Sequence, residues 1–493
     1  MNPTRTQLSR RNFLAHTSSA TAAILAPAWC RAGAADSPRM EIRECYCPAH
    51  FGNSYEAMWP GEMAAYLAEL KWWGFNRYGD WITTTDVCNP YASDAFWALA
   101  MEQLDRKKRA FRAAQSLGMD LNLIVTPNHV YLDQLRPSYA ATKGPRISGQ
   151  LICPSQPEAR RLILDNFERW FRDFAESGLR LSAFTAFAYD YGGCGCEQCR
   201  PWIVTFARLM KEVHARASIH HPGLEPWFCS WWWTPEEHQL FNDWAAREAP
   251  GWLKGMTLHI EYGQTRFKEL EVPAGCRKLA FVHIGYSDNP AVSDIYAKWG
   301  PVAAASRIPG TLDGIAGQGA GGFQAYSEGV FDDVNKALLA GLGSGKFADA
   351  HAVLKAYAQR YFQASEADAE HWANWIASWG DRTTVPLPSA AEELTRLAST
   401  APDTWRLAHW RSKVALETLD RQIGRPQESQ WTPEKLGLAD RFWAEQEHLQ
   451  REVYKLGPVR HVFARKFRPP AWYDSWQKAV KTAPRRQGML PEA

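Results

Sequence analysis

The chain has 493 residues, 46% hydrophobic and 22% charged. That balance excludes a disordered, collagen-like or coiled-coil chain and suits a large domain with a second module. The formal charge of +3 misleads, because residues 1–35 hold Arg5, Arg10, Arg11 and Arg31 and no acid, leaving 52 bases against 53 acids elsewhere. Without a basic excess to displace counterions from phosphates, nucleic acid is not expected as a partner.

In chain order, residues 1–35 come first. "SRRNFL" (Ser9 to Leu14), a weakly apolar run from Ala20 to Ala28 and small residues in "RAGAAD" make up the plan of a twin-arginine signal peptide. Tat export would deliver a folded protein to the periplasm or the medium. No later stretch reaches the ~20 unbroken apolar residues of a membrane span.

From residue 41 onward, short apolar runs alternate with longer helical patterns, the signature of a parallel α/β architecture. Strands are predicted at 41–47, 74–81, 119–127, 181–190, 225–233, 255–262, 278–286 and 321–328. Helices are clearest at 61–73, 93–117, 157–177, 200–218 and 235–248, and the connection 263–277 is less regular. Eight such units over residues 36–345 predict a (β/α)8 TIM barrel. The alternative, an open doubly wound sheet, lacks a Gly-rich dinucleotide fingerprint after the first strand. Beyond residue 345 the strand pattern stops. Residues 347–363, 366–380, 388–399, 402–423 and 433–456 read as helices, giving an α-helical C-terminal domain over 346–493.

Barrel chemistry sits at the carboxyl ends of strands. Asp190, Glu261 and Glu328 stand at the ends of the fourth, sixth and eighth. On the sixth strand Thr257, His259 and Glu261 share one face, and on the eighth Gln324, Tyr326 and Glu328 do so. Carboxylates in such a cluster can divide into proton donor and charged partner, as glycosidic bond cleavage requires. Glu328 and Glu261 are the expected acid/base pair, with Asp190 as third member. Asp80, Glu236 and Glu237 are weaker candidates, and "TPEE" from Thr234 reads better as a helix N-cap. Trp81, Tyr189, Trp232, Tyr262, Tyr286 and Tyr326 gather at the same strand ends, where flat rings would stack on a carbohydrate substrate. His259 would bind a hydroxyl, as would His129 and His283. For each of these residues core packing competes with the functional role.

Cys194, Cys196 and Cys199 form a tight "CGCEQC" just beyond Asp190. Their spacing suits a structural zinc with a fourth ligand from elsewhere, Cys153, Cys229 or a histidine, and equally a disulfide in an oxidising compartment, with free thiols as the third alternative. The carboxylate chemistry itself needs no cofactor.

The run "AYDYGGCGCEQCRPW" (188–202) resembles the Asp-Gly-Gly and closely spaced cysteines of a group of bacterial glycoside hydrolase-like barrels, distantly allied to α-glucuronidase and β-hexosaminidase barrels. "GGFQAYSEGVFDDVNKAL" (321–338) is similar to the last-strand signature of that group. The resemblance covers roughly 180–345 and implies a glycosidase barrel with a closing helical domain. In the hexosaminidase relatives the fourth strand ends in an Asp-Glu pair that orients an acetamido group and supplies the acid. Here Tyr191 follows Asp190, so only Asp190 matches.

The expected function is therefore an exported glycoside hydrolase of oligo- or polysaccharides. The alternatives are a non-catalytic carbohydrate-binding protein on a degenerate barrel and a metal-dependent periplasmic hydrolase.

Overall fold

The computed structural model describes residues 39–49, 53–82, 87–92, 97–142, 151–188, 193–291, 299–455 and 470–482. The predicted signal segment lies outside them. Eight strands, β1 (Ile42–Tyr46), β2 (Arg77–Trp81), β3 (Asp120–Val125), β4 (Ala183–Phe187), β5 (Glu225–Cys229), β6 (Gly255–His259), β7 (Arg277–His283) and β8 (Gly322–Tyr326), form one parallel sheet. β8 pairs back onto β1, with Glu44 opposite Gln324 and Tyr46 opposite Tyr326, so the barrel is closed. Every strand overlaps its predicted segment.

Helices Pro60–Trp73, Trp97–Ser116, Pro157–Glu176, Trp202–His220 and Pro235–Glu248 follow β1 to β5. Several open as their sequences dictate. Pro235 occupies the first turn, Thr234 Oγ1 accepts from the Glu237 amide, and the Glu237 carboxylate accepts in return from the Thr234 amide at 2.8 Å. Glu237 is thus committed to a cap. Between β6 and β7 no helix forms among the described residues, matching the irregular pattern there. Helix Arg307–Gly317, before β8, is interrupted by glycines and lies outside the helices predicted from sequence. A Cβ on Gly314 would meet the Thr265 carbonyl at 2.1 Å, so the glycine lets the β6–β7 connection lie against that helix.

Inside the barrel, alternation builds layers. The lowest contains Ile42, Ala183, Trp227 and Leu279. Trp227 needs Gly255 beside it, since a Cβ there would stand 1.9 Å from the indole. The next layer is polar: Glu44 accepts from Asn122 Nδ2 at 2.8 Å and Gln324 Nε2 at 2.7 Å, and Arg77 Nε lies 3.2 Å from its carboxylate. Burial drives the Glu44 carboxyl upward, and Arg77 with the amide donors opposes it. Above them Tyr46, Trp81, Ile124, Phe187, Cys229 and Phe281 close the lumen.

After β8, helix Asp333–Gly343 leads to helices Ala350–Phe362, Glu366–Ala377, Leu387–Ala398, Trp405–Ile423, Pro433–His448 and Tyr473–Thr482. The last lies beyond the helices predicted from sequence. Indoles form much of this core: Trp375 meets Trp410 at 5.0 Å and Trp379 at 5.6 Å between ring centroids. The helical part is tied to the barrel by Asp333, which receives Arg406 Nε at 2.6 Å, Tyr357 at 2.7 Å and Tyr66 at 2.9 Å. Burial pushes the Asp333 carboxyl upward, but Arg406 and these donors outweigh it and hold it below the usual carboxylate range. No described helix is long and apolar enough to cross a membrane.

Candidate active site

The carboxyl ends of β5 to β8 carry most of the expected residues. Glu328, two residues past β8, is 6% exposed, and Tyr326 donates its phenolic hydrogen to Glu328 Oε1 at 2.6 Å. The backbone either side of Glu328 is pinned. Ser327 Oγ donates to Asp332 Oδ1 at 2.9 Å and lies 2.6 Å from the Tyr55 hydroxyl. The Gly329 carbonyl accepts from Tyr55 at 2.9 Å and Lys336 Nζ at 2.8 Å, while Lys336 also pairs with Asp332. A buried network of this kind holds a side chain in one orientation.

On β7, His283 is buried, and among the described residues neither ring nitrogen has a hydrogen-bond partner. It is surrounded by Tyr262 at 4.1 Å, Tyr326 at 5.1 Å, Trp231 at 5.7 Å and His259 at 6.4 Å. Burial holds its imidazole well below the usual range, and His259 adds to this. A neutral ring presents one donor and one acceptor. His259 is lowered by burial as well, opposed by the charge of Glu261. Glu261 itself is exposed at the rim, just past β6. Contacts run from His259 through His283 and Tyr326 to Glu328 across three neighbouring strand ends, and Glu261 reaches His259 through its charge.

The Trp231–Trp233 run splits by alternation. Trp231 turns inward against Phe281, and Trp233 packs outward on Phe241. Trp232 is 43% exposed, stacks on Trp231 at 4.5 Å and adopts φ +61°. A left-handed backbone at a bulky residue is strained, and such strain concentrates at functional sites.

Other expectations meet different placements. Tyr286 does not line the mouth: it is buried in the outer core with Ile284, its hydroxyl 3.3 Å from Thr311 of helix Arg307–Gly317. β7 ends at His283, and parity sends Tyr286 to the outer side. Trp81 faces inward as part of the buried layer under the mouth rather than its rim. Asp80 points out of the barrel, with Lys107 Nζ 3.2 Å from its carboxylate. Asp190 and Tyr189 lie outside the described residues. Cys194, Cys196 and Cys199 converge with Cys153, the four sulfurs lying within 4.8 Å of one another. Sequence reasoning missed the Glu44–Arg77 pair and the network behind Glu328. For Glu44, the alternation Ile42, Glu44, Tyr46 was a usable signal.

No family model matches the sequence, and no curated protein matches it. Solved structures with a similar barrel include CpGH84B (11% identity, TM-score 0.46, over 88% of this chain and 78% of that one). Others are the O-GlcNAc hydrolase of Thermobaculum terrenum (12%, 0.45, 90% and 95%) and a GH20 catalytic module of the pneumococcal exo-β-D-N-acetylglucosaminidase StrH (10%, 0.39, 74% and 99%). The described residues form a closed eight-stranded parallel barrel followed by a helical segment, the architecture of a TIM barrel.

Proposed function

We propose that this protein is a glycoside hydrolase that cleaves an oligo- or polysaccharide, exported folded by the segment at residues 1–35. The observation that carries the reading is the buried Glu328 carboxylate, oriented by Tyr326 beside an aromatic wall of Tyr262, Trp231 and Trp232. Glu328 faces the anomeric centre and supports its developing positive charge or activates water. Glu261 is assigned as the proton donor to the departing glycosidic oxygen; water then adds its hydroxyl to the anomeric carbon and its proton returns to Glu261, so that the sugar and the released alcohol together take up one water. Asp190 serves as the third carboxylate. His283, enclosed behind Tyr262 and Tyr326, backs the aromatic wall, and the rings of Trp231 and Trp232 stack on the apolar face of a pyranose.

Purified protein screened against aryl glycosides and envelope polysaccharides should release sugar from at least one class. Glu328→Gln should abolish that turnover while preserving fold and sugar binding. Full activity in this variant would remove Glu328 from the mechanism, and inactivity of the wild type across the panel with sugar still bound would favour a binding protein.

A further inference from the structure

Cys153 sits in the connection after β3, and Cys194, Cys196 and Cys199 sit in the connection after β4. They are separated by more than forty positions in sequence, yet the Cys153 sulfur lies 3.7 Å from those of both Cys196 and Cys199. Cys153, Cys194 and Cys199 are buried and Cys196 is half-buried, with Ala141 and Trp202 packed around them.

The two loops are clamped together independently of the sulfurs. Asn128 Nδ2 donates to the Ile152 carbonyl at 2.8 Å and the Gly193 carbonyl at 2.7 Å, and Asn128 Oδ1 accepts from the Gly193 amide at 2.8 Å. One buried amide thus fixes the residue preceding Cys153 and the residue preceding Cys194. The Gly195 amide donates to the Thr142 carbonyl at 2.8 Å, joining the loops a second time. The Cys199 amide turns back onto the Cys196 carbonyl at 3.1 Å, and both sulfurs lie 3.7 Å from that of Cys153. Ser155 Oγ stands 2.9 Å from Cys199 Sγ, an outer contact of the kind that orients metal ligands.

We propose that Cys153, Cys194, Cys196 and Cys199 bind one zinc ion as a tetrathiolate, a structural site that staples the β3 and β4 loops beside the barrel mouth. With zinc–sulfur bonds of about 2.3 Å, the edge of a tetrahedron is about 3.8 Å, which the Cys153 spacings match. A disulfide would pair sulfurs, whereas Cys153 is equidistant from two partners. An iron–sulfur cluster would hold its thiolates apart around several metal atoms, wider than this cluster allows. Each thiol that coordinates releases its proton to solvent, so binding is stronger at higher pH. Four thiolates leave no open position, so the ion supplies no catalytic water. The site is independent of the glycosidase reading.

The test is metal analysis of the full-length protein purified from zinc-supplemented culture, with intact mass and thiol titration alongside. The expected result is one zinc per chain and four thiols that become reactive only after chelation. Cobalt exchanged into the wild type should give the visible spectrum of a tetrahedral tetrathiolate, and Cys153→Ser should lose most of the metal. Protein with no metal and freely reactive thiols, a mass lower by two hydrogens for each disulfide, or bound iron with cluster absorbance would overturn the proposal. The cobalt spectrum needs no variant, so a Cys153→Ser chain that fails to fold leaves the answer intact.

Discussion

Tyr326 and Glu328, two residues apart at the end of β8, face the same way because alternation is conserved past the last ladder bond, and the phenol holds one carboxylate oxygen at 2.6 Å. The first prediction removes only that hydrogen bond. Tyr326→Phe keeps the ring that packs on His283 and Phe281. It should lower kcat by about 10- to 100-fold through loss of carboxylate orientation, with KM little changed. Steady-state kinetics on the best substrate of the panel measure this; an unchanged kcat would mean that the hydroxyl does not position Glu328 for the reaction.

Trp232 combines exposure, stacking and a left-handed backbone. Replacement by glycine should relieve strain of about 1–2 kcal/mol and raise the unfolding midpoint, while KM increases because a stacking surface is lost. Opposite movement of stability and sugar affinity is the expected outcome. If both fall together, the indole is packing support and not a binding surface.

The polar layer inside the barrel should be sensitive to breaking and tolerant of wholesale replacement. Glu44→Ala strands the Arg77 guanidinium in the lumen, at a cost of about 3–5 kcal/mol. Removing both charges in Glu44→Leu with Arg77→Met should recover much of that loss. Urea denaturation of the three variants checks it, and equal destabilisation by the single and double changes would sink the account.

Acid should weaken the fold through its buried histidines. Burial holds His283 and His409 neutral well below the usual imidazole range. Above about pH 6.5 neither the folded nor the unfolded chain protonates them, and their contribution is fully present. As pH falls below that value the unfolded chain takes up protons the folded chain refuses, so stability drops until the depressed folded pKa is passed. His283→Gln should flatten the dependence between pH 7.5 and pH 5. A wild-type chain that gains stability on acidification over this window would contradict the sign.

Much of the architecture was legible because strand and helix periodicities are local. The inward face of β6 and the Thr234 cap follow from residue spacing alone. Parity also carried an unused message on β7: His283 shares a face with Phe281, whereas Tyr286 shares one with Ile284. Tyr286 has the aromatic character of a mouth residue, but alternation places it in the outer core. Glu44 was overlooked because a charged residue on a strand usually faces solvent, and only closure of the sheet turns its face into a lumen.

From the chain alone came the number of strands, their order, the helical character of residues beyond 345 and the candidate carboxylates at strand ends. Local sterics and hydrophobic periodicity write those features into short windows. Which side chains share a neighbourhood was decided only by closure and packing: His283 beside Tyr326, Glu44 against Arg77, and Cys153 against Cys196 and Cys199. Such contacts join residues tens of positions apart, and a linear pattern holds no record of that distance until the barrel folds.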